Sequence, residues 1–586
     1  MYKYKIKGSE GFKSNIERTI IDGVDYINFE IESETEKEFP PMTIEVTGFK
    51  GRDAHSYWRP AQQRRKKNIV MCWGEGDTGD AVKGTISAPV GVFYDLHGNN
   101  TLAASFSNVI EDTSFKMGVI EETGELIVKV GLFPYKNKKR RNYKGCLRID
   151  TRKLSVERVT KDISEWYEKD NKPMEVPELA KEAMYSTWYS YHQDLTAEVI
   201  EKEAYLAKKS GMEAVIVDDG WQTEDSSRGY AYCGDWEVSS KRIPDMAEHV
   251  KRVQDMGVKY LLWYSVPFMG REAKVWDRFK DKLLYMREEL GAGVLDPRYK
   301  EVREFLIGKY IEAVRDWGVD GLKLDFVDEF HQGLAQRNAL LEDDARDYPC
   351  VQEAVEALLE GILTSLREIR PDVIIEFRQR YIGPFMRRYG NIFRVTDCPM
   401  DFISNREGIA DLRMFSGSTA IHSDMIMWDP SDTPEGAALQ FASIMFGIPQ
   451  FSMRMEELTP EHKKVTDFWL KLWRDNRDLL TEGEFKIVSP EYLYPMMSSE
   501  DENSIAIGIY GDKIVDLKGD KDVLLLNGRM EKEVYLKAEK PQSAEIIIYN
   551  CMGDITRSET FEIVKGVNTL CVPECGIAKI KWTMKK

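Results

Sequence analysis

Between about residues 177 and 482, apolar runs of strand length alternate with amphipathic helical segments, a rhythm that a parallel sheet covered by helices can bury. Eight such runs follow one another, at 184–188, 214–217, 260–263, 321–324, 373–376, 392–395, 419–422 and 449–452. Eight strands over this length predict a closed (β/α)8 TIM barrel rather than an open doubly wound sheet. Before the barrel, short alternating runs such as Thr43-Ile-Glu-Val-Thr, broken by Gly, Asn and Asp, predict an N-terminal β-sandwich. The same pattern returns near the end, as in Ser543-Ala-Glu-Ile-Ile-Ile-Tyr, and predicts a small C-terminal antiparallel β domain. The expected division of this multidomain chain is 1–176, 177–482 and 483–586.

A formal net charge of −17 gives a surface field that repels nucleic acid and anionic membrane, so a neutral ligand suits the chain better. Two basic runs, Arg64-Arg65-Lys66-Lys67 and the one from Lys136 to Arg141, read as solvated faces. The eight cysteines are scattered without a CxxC pair, which predicts reduced thiols in a cytoplasmic protein. No apolar stretch has signal-peptide or membrane-spanning character, and no CxxC spacing suggests zinc or a redox motif.

Several runs end abruptly in charge. The second leads into Asp218-Asp219-Gly220-Trp221, the fourth carries Lys323 and Asp325, the fifth Glu376 and Arg378, and the sixth Arg394 and Asp397. In a parallel barrel the carboxyl ends of the strands face the active site, so charge placed there reads as chemistry. Trp221, Trp236 and Trp263 lie at or beyond strand ends as well. Carboxylates among aromatic faces suit a sugar, whose hydroxyls need acceptors and whose C–H faces need a flat apolar platform. Two carboxylates can divide glycoside cleavage: Asp325 as the nucleophile, oriented by Lys323 two residues back, and Asp397 as the acid and then the base. Asp401 competes with Asp397 for the second role. Asp328 and Glu329 read as solvated or capping groups. Arg378 and Arg380 fit an anionic sugar and a held carboxylate equally well. His331 and His422 read as structural.

Lys323-Leu-Asp325, Asp218-Asp219-Gly220-Trp221, Gly234-Asp235-Trp236 with Arg242-Ile-Pro244, and Leu295-Asp296-Pro297-Arg298 occur in an order that resembles the melibiase-type α-galactosidases of glycoside hydrolase family 36. The resemblance implies a retaining exo-α-glycosidase with Asp325 as nucleophile and Asp397 as acid/base. It also implies Asp218, Asp219, Lys323 and Arg394 as sugar contacts, an oligosaccharide with terminal α-linked galactose as substrate, and no cofactor. The chain departs from that family at the fifth strand, where Glu376-Phe-Arg-Gln-Arg-Tyr-Ile-Gly-Pro384 replaces a Cys- and Gly-rich motif. That departure keeps two alternatives open: a raffinose-synthase-like transglycosylase and an α-N-acetylgalactosaminidase. A non-catalytic carbohydrate-binding protein is the alternative from another class. Assembly into a homo-oligomer is left open.

Overall fold

The computed structural model describes residues 2–60, 80–135, 137–331, 345–378 and 380–583. The basic run Arg64–Lys67 lies outside them, as do Cys72 and Lys136 of the second basic run.

Eight parallel strands form the central sheet: β1 Met184–Ser186, β2 Ala214–Val217, β3 Lys259–Ser265, β4 Gly321–Asp325, β5 Ile374–Arg378, β6 Ile392–Arg394, β7 Ala420–His422 and β8 Gln450–Phe451. Each of the eight expected runs overlaps one of them. Neighbours pair in chain order, and β8 pairs with β1. The ring closes where the Ile448 amide donates to the Ile421 carbonyl (2.8 Å) and the Ser423 amide to the Ile448 carbonyl (2.9 Å). The strands are buried on both faces, which explains why they read as continuous apolar runs.

The intervening helices start at side-chain caps that the sequence supplies. Thr196, Asp245, Asp401, Thr433 and Thr459 each accept a backbone N–H of the first turn of their helix. Pro434 and Pro460 occupy the first helical positions, where a missing N–H costs nothing.

At the N-terminal end, a five-stranded and a six-stranded antiparallel sheet enclose a core that includes Phe29, Ile44, Val46, Phe106, Val128 and Leu147. A helix, Val156–Glu168, follows this sandwich, and its Val156, Val159, Ile163 and Tyr167 join the barrel's own core. At the C-terminal end, seven-stranded and three-stranded sheets pack around Ile509, Leu525, Leu536 and Ile546. These sheets are mainly antiparallel, but Ser504–Ile509 pairs parallel with Asp522–Asn527, and Ile514–Leu517 with Glu533–Ala538. Alternation along a strand reports which face is buried, and it carries no information on partner direction.

One element went unread in the sequence. Phe268–Gly270, Leu283–Arg287 and Ala292–Leu295 form a small antiparallel sheet between β3 and β4. It stands over the carboxyl end of the barrel, where Tyr285 and Arg287 hold Glu329. Lys83 of the sandwich reaches the same loop: its ammonium donates to the carbonyls of Asp328 (3.0 Å) and Phe330 (2.7 Å).

Candidate active site

The end of β2 turns sharply at Gly220, whose φ of +116° places a hypothetical Cβ 2.6 Å from the Gln193 backbone, so only glycine fits. This turn buries two consecutive carboxylates. Asp218 Oδ2 accepts the Lys323 ammonium at 2.5 Å. Asp219 accepts the Gln193 and Gln222 amides at 2.7 and 2.6 Å. Burial pushes the Asp219 carboxyl up to about 7, outweighing those two hydrogen bonds.

Asp325 closes β4 and sits among donors from three further elements. The Trp263 indole donates to Oδ2 at 3.1 Å. Arg378 Nε (2.8 Å), the Phe326 amide (2.8 Å) and the Tyr381 hydroxyl all donate to Oδ1. Burial alone would raise this carboxyl, but the charges of Arg378 and Lys323 and the Tyr381 hydrogen bond bring it well below the usual carboxylate range. Asp325 is therefore an anion. The expected Lys323–Asp325 pairing is corrected: the two side chains share a strand face, but the ammonium bonds to Asp218, and Arg378, Tyr381 and Trp263 orient Asp325.

Arg394 at the end of β6 is surrounded by carboxylates. Its Nη2 donates to Asp397 at 2.9 Å, its Nη1 to Asp424 at 2.5 Å, and its Nε lies 3.5 Å from Glu376. Enclosure would raise Asp397, yet Arg394, then Arg378 and Lys323, hold it below its ordinary value while the Asp325 charge opposes them. The Asp325 and Asp397 carboxylates thus feel each other and the same cations. Asp397 is the open one of the pair, with 45% of its side chain exposed. Asp401, its competitor in the sequence, caps the next helix by accepting the Ser404 amide at 3.0 Å and the Ser404 hydroxyl at 2.8 Å.

Three other expected contacts are corrected. Glu376 is fully buried and accepts the Gln450 amide at 2.5 Å, so it supports Arg394 inside the barrel wall. Trp221 and Trp236 are sealed in a ring cluster with Tyr264, and the Trp221 indole is spent on the Trp263 carbonyl. Trp236 holds its place with φ of +51°, directly after the Gly234-Asp235 turn in which Asp235 accepts the Lys274 and Val275 amides. The partly open rings beside Asp325 are Phe326 and Tyr230, 5.2 Å apart. Trp263, though buried, touches Asp325 directly.

The loop after β4 is not a solvated one. Asp328 is buried against Arg380 (2.6 Å), and Glu329 accepts Tyr285 and Arg287. Arg378 and Arg380 both hold carboxylates. His422 is buried with its Nε2 on the Ala180 carbonyl, and burial lowers it to about 4. Arg242 donates to the carbonyls of Leu195, Thr223 and Glu224, and Arg298 pairs with Asp296, so these two motifs shape loops. Sequence reasoning missed Tyr381, Gln193, Tyr189 and Asp424. Asp424 lies two residues past β7, where the strand-end rule used elsewhere would have found it. Among the described residues no cluster of three or more His, Cys, Asp or Glu side chains could hold a metal ion.

A closed parallel barrel that gathers carboxylates, cations and aromatic rings at the carboxyl ends of its strands has the parts that two-carboxylate glycoside cleavage uses. Residues 155–375 match the Melibiase family. The chain is 25% identical over 328 residues to α-galactosidase AgaA of Geobacillus stearothermophilus, across 52% of this chain and 43% of that protein. It is 26% identical over 149 residues to α-galactosidase Mel36A of Lactobacillus acidophilus, across 24% of this chain and 19% of that one. The matched stretches thus span less than half the length of these relatives. Across the fold, AgaA bound to 1-deoxygalactonojirimycin superposes with a TM-score of 0.66 at 15% identity, covering 98% of this chain and 82% of that one. The galactosidase domain of the α-galactosidase–sucrose kinase AgaSK gives 0.64 at 12%, covering 100% and 86%. Residues 155–375 thus resemble the melibiases, and the fold as a whole resembles that of the family 36 α-galactosidases.

Proposed function

We propose that the protein is a retaining exo-α-glycosidase that removes terminal α-linked galactose from short oligosaccharides by double displacement. The observation that carries this reading is Asp325, a buried anion held at a barrel strand end by Trp263, Arg378 and Tyr381, within the electrostatic reach of a second, exposed carboxylate, Asp397. The galactose preference is supported by the relatives: AgaA has been solved with raffinose and with stachyose.

In this reading Oδ2 of Asp325 attacks the anomeric carbon, because it carries one donor while Oδ1 carries three. Asp397 protonates the leaving oxygen, and the bond from C1 to that oxygen breaks as the bond to Asp325 forms. Asp397, now an anion, then takes a proton from water, whose oxygen releases the sugar from Asp325 with its anomeric configuration kept. Asp218, Asp219 and Lys323 bind the ring hydroxyls in a layer beside the nucleophile, and Phe326 and Tyr230 offer it an apolar face. The described cysteines are all free, which suits a cytoplasmic setting.

The test is direct. Purified protein should release nitrophenol from the aryl α-galactoside, Asp325→Ala should reduce release to background with the fold intact, and NMR should show the α-anomer appearing first. A β-anomer as first product would overturn retention, and a protein inert on all α-glycosides would overturn the function. Product analysis with an added acceptor sugar separates hydrolysis from transfer.

A further inference from the structure

Asp424 has no part in the chemistry just described, yet it is tied to Asp397 twice. Its Oδ1 accepts Arg394 Nη1 at 2.5 Å, while the other terminal nitrogen of the same guanidinium holds Asp397 at 2.9 Å. Its Oδ2 accepts the backbone N–H of Cys398 at 2.6 Å, the residue that follows Asp397. The Tyr189 hydroxyl donates to that same oxygen at 2.9 Å. Asn405 fixes the backbone, accepting the Asp424 amide and donating to its carbonyl. Such a set of bonds leaves a fully buried carboxylate no freedom of its own.

We propose that Asp424 is a positioning residue for Asp397, fixing the peptide behind it and sharing Arg394 with it, so that its place and charge decide whether Asp397 can act as the proton donor. This rests on the reading of Asp397 as the acid/base. The electrostatic argument is one of competition. Arg394, Arg378 and Lys323 all favour the ionised form of Asp397, against burial and the Asp325 charge. A second anion on Arg394 draws off part of that cation's field. Asp424 answers in kind: burial raises it to about 6 despite Arg394, with the Asp397 charge pushing further and the Cys398 amide and Tyr189 hydroxyl pulling back. The Cys398 thiol and the Glu376 carboxyl, which also face Arg394 and Asp424, are both raised by burial. An ionised Asp424 supports a proton on Asp397.

A role in acid catalysis shows in the leaving group. An alkyl glycoside needs the proton, whereas a dinitrophenyl glycoside departs without it, so a defect confined to proton donation spares the second substrate. In Asp424→Asn, kcat on methyl α-galactoside should fall about 100-fold and kcat on dinitrophenyl α-galactoside by no more than about threefold, the size and selectivity expected of lost general-acid catalysis. The alkaline limb of kcat/KM on the alkyl substrate should move to lower pH. Tyr189→Phe, which keeps the carboxylate and removes one bond to it, should show the same selectivity at smaller size, and it decides the matter if the first variant does not fold. Equal losses on both substrates, or none, in the folded variants would overturn the proposal. If Asp397→Ala shows the leaving-group split and the Asp424 and Tyr189 variants do not, this inference alone fails. A wild-type protein inert on both substrates sinks the glycosidase reading, and this inference with it.

Discussion

Arg378 Nε donates to the candidate nucleophile at 2.8 Å, and its guanidinium lies 5.2 Å from the centroids of both Phe326 and Tyr381. An arginine clamped in this way cannot swing aside cheaply, so it acts as a fixed part of the electrostatic environment of Asp325. Its charge opposes burial, the dominant force on that carboxyl. Removing it lets burial win. Arg378→Gln should therefore raise the Asp325 carboxyl and move the acid limb of kcat/KM upward by roughly one to two pH units. The sign follows from the folded state holding Asp325 below its ordinary value: the anion persists into acid in the wild type and is lost at higher pH in the variant. Initial rates on the aryl α-galactoside from roughly pH 2 to 8 measure it, the limb appearing in the variant where the wild type still holds its rate.

The helix Phe402–Phe415 starts at Asp401, whose carboxylate accepts the Ser404 amide and hydroxyl, four residues after Asp397. Two aspartates so close in the chain serve different masters because only one precedes a free helix end, where unsatisfied N–H groups attract an acceptor. Asp401→Ala should cost about 1 kcal/mol of stability. Urea denaturation reads that loss, and the ratio of activity on alkyl and dinitrophenyl substrates should stay as in the wild type. If the ratio falls as for a lost acid, the roles of Asp397 and Asp401 must be exchanged.

Across the whole molecule, the sandwich and the barrel meet at Lys83, which inserts a buried ammonium beneath the loop that leaves Asp325. Asp411 makes a second junction, accepting the Trp58 indole from the sandwich at 2.8 Å and the Tyr494 hydroxyl from the C-terminal region. Burial lowers Lys83 from 10.5 to about 8, against the pull of Asp112, Asp328 and Glu329. A lysine depressed in the folded state binds its proton more tightly when unfolded, so its contribution to stability rises with pH between those two values. Comparing wild type with Lys83→Met by urea denaturation at roughly pH 7.5 and 9.5 should show the difference shifting in favour of the wild type at the higher pH. The variant should also lose kcat, since the carbonyls of Asp328 and Phe330 lose a donor and the loop after the nucleophile loosens. An unchanged difference across that range would refute the buried-ammonium account.

The barrel was legible because each strand is buried on both faces and so must be written as an apolar run, and because the turns after it need charge, glycine or a cap. Strand-end position brought out Asp218, Asp219, Lys323, Asp325, Arg378, Arg394 and Asp397 by the same rule, and the structure gathers them at one end of the ring. What the rule could not supply was pairing. Lys323 stands two residues from Asp325 and 105 from Asp218, yet it bonds to the distant one, since side-chain reach across a closed barrel outranks proximity along a strand. Trp221 and Trp236 look like sugar platforms in sequence and are core rings in space, because which aromatic faces stay open depends on how the loops pack over them. Tyr381 comes from a loop whose course no periodicity encodes, and the small sheet between β3 and β4 was hidden for the same reason, whereas Asp424 stood within reach of the strand-end rule. Local burial and turn chemistry wrote the elements into the chain, while the choice of partners for each charge was made by the closure of the ring and the domains packed against it.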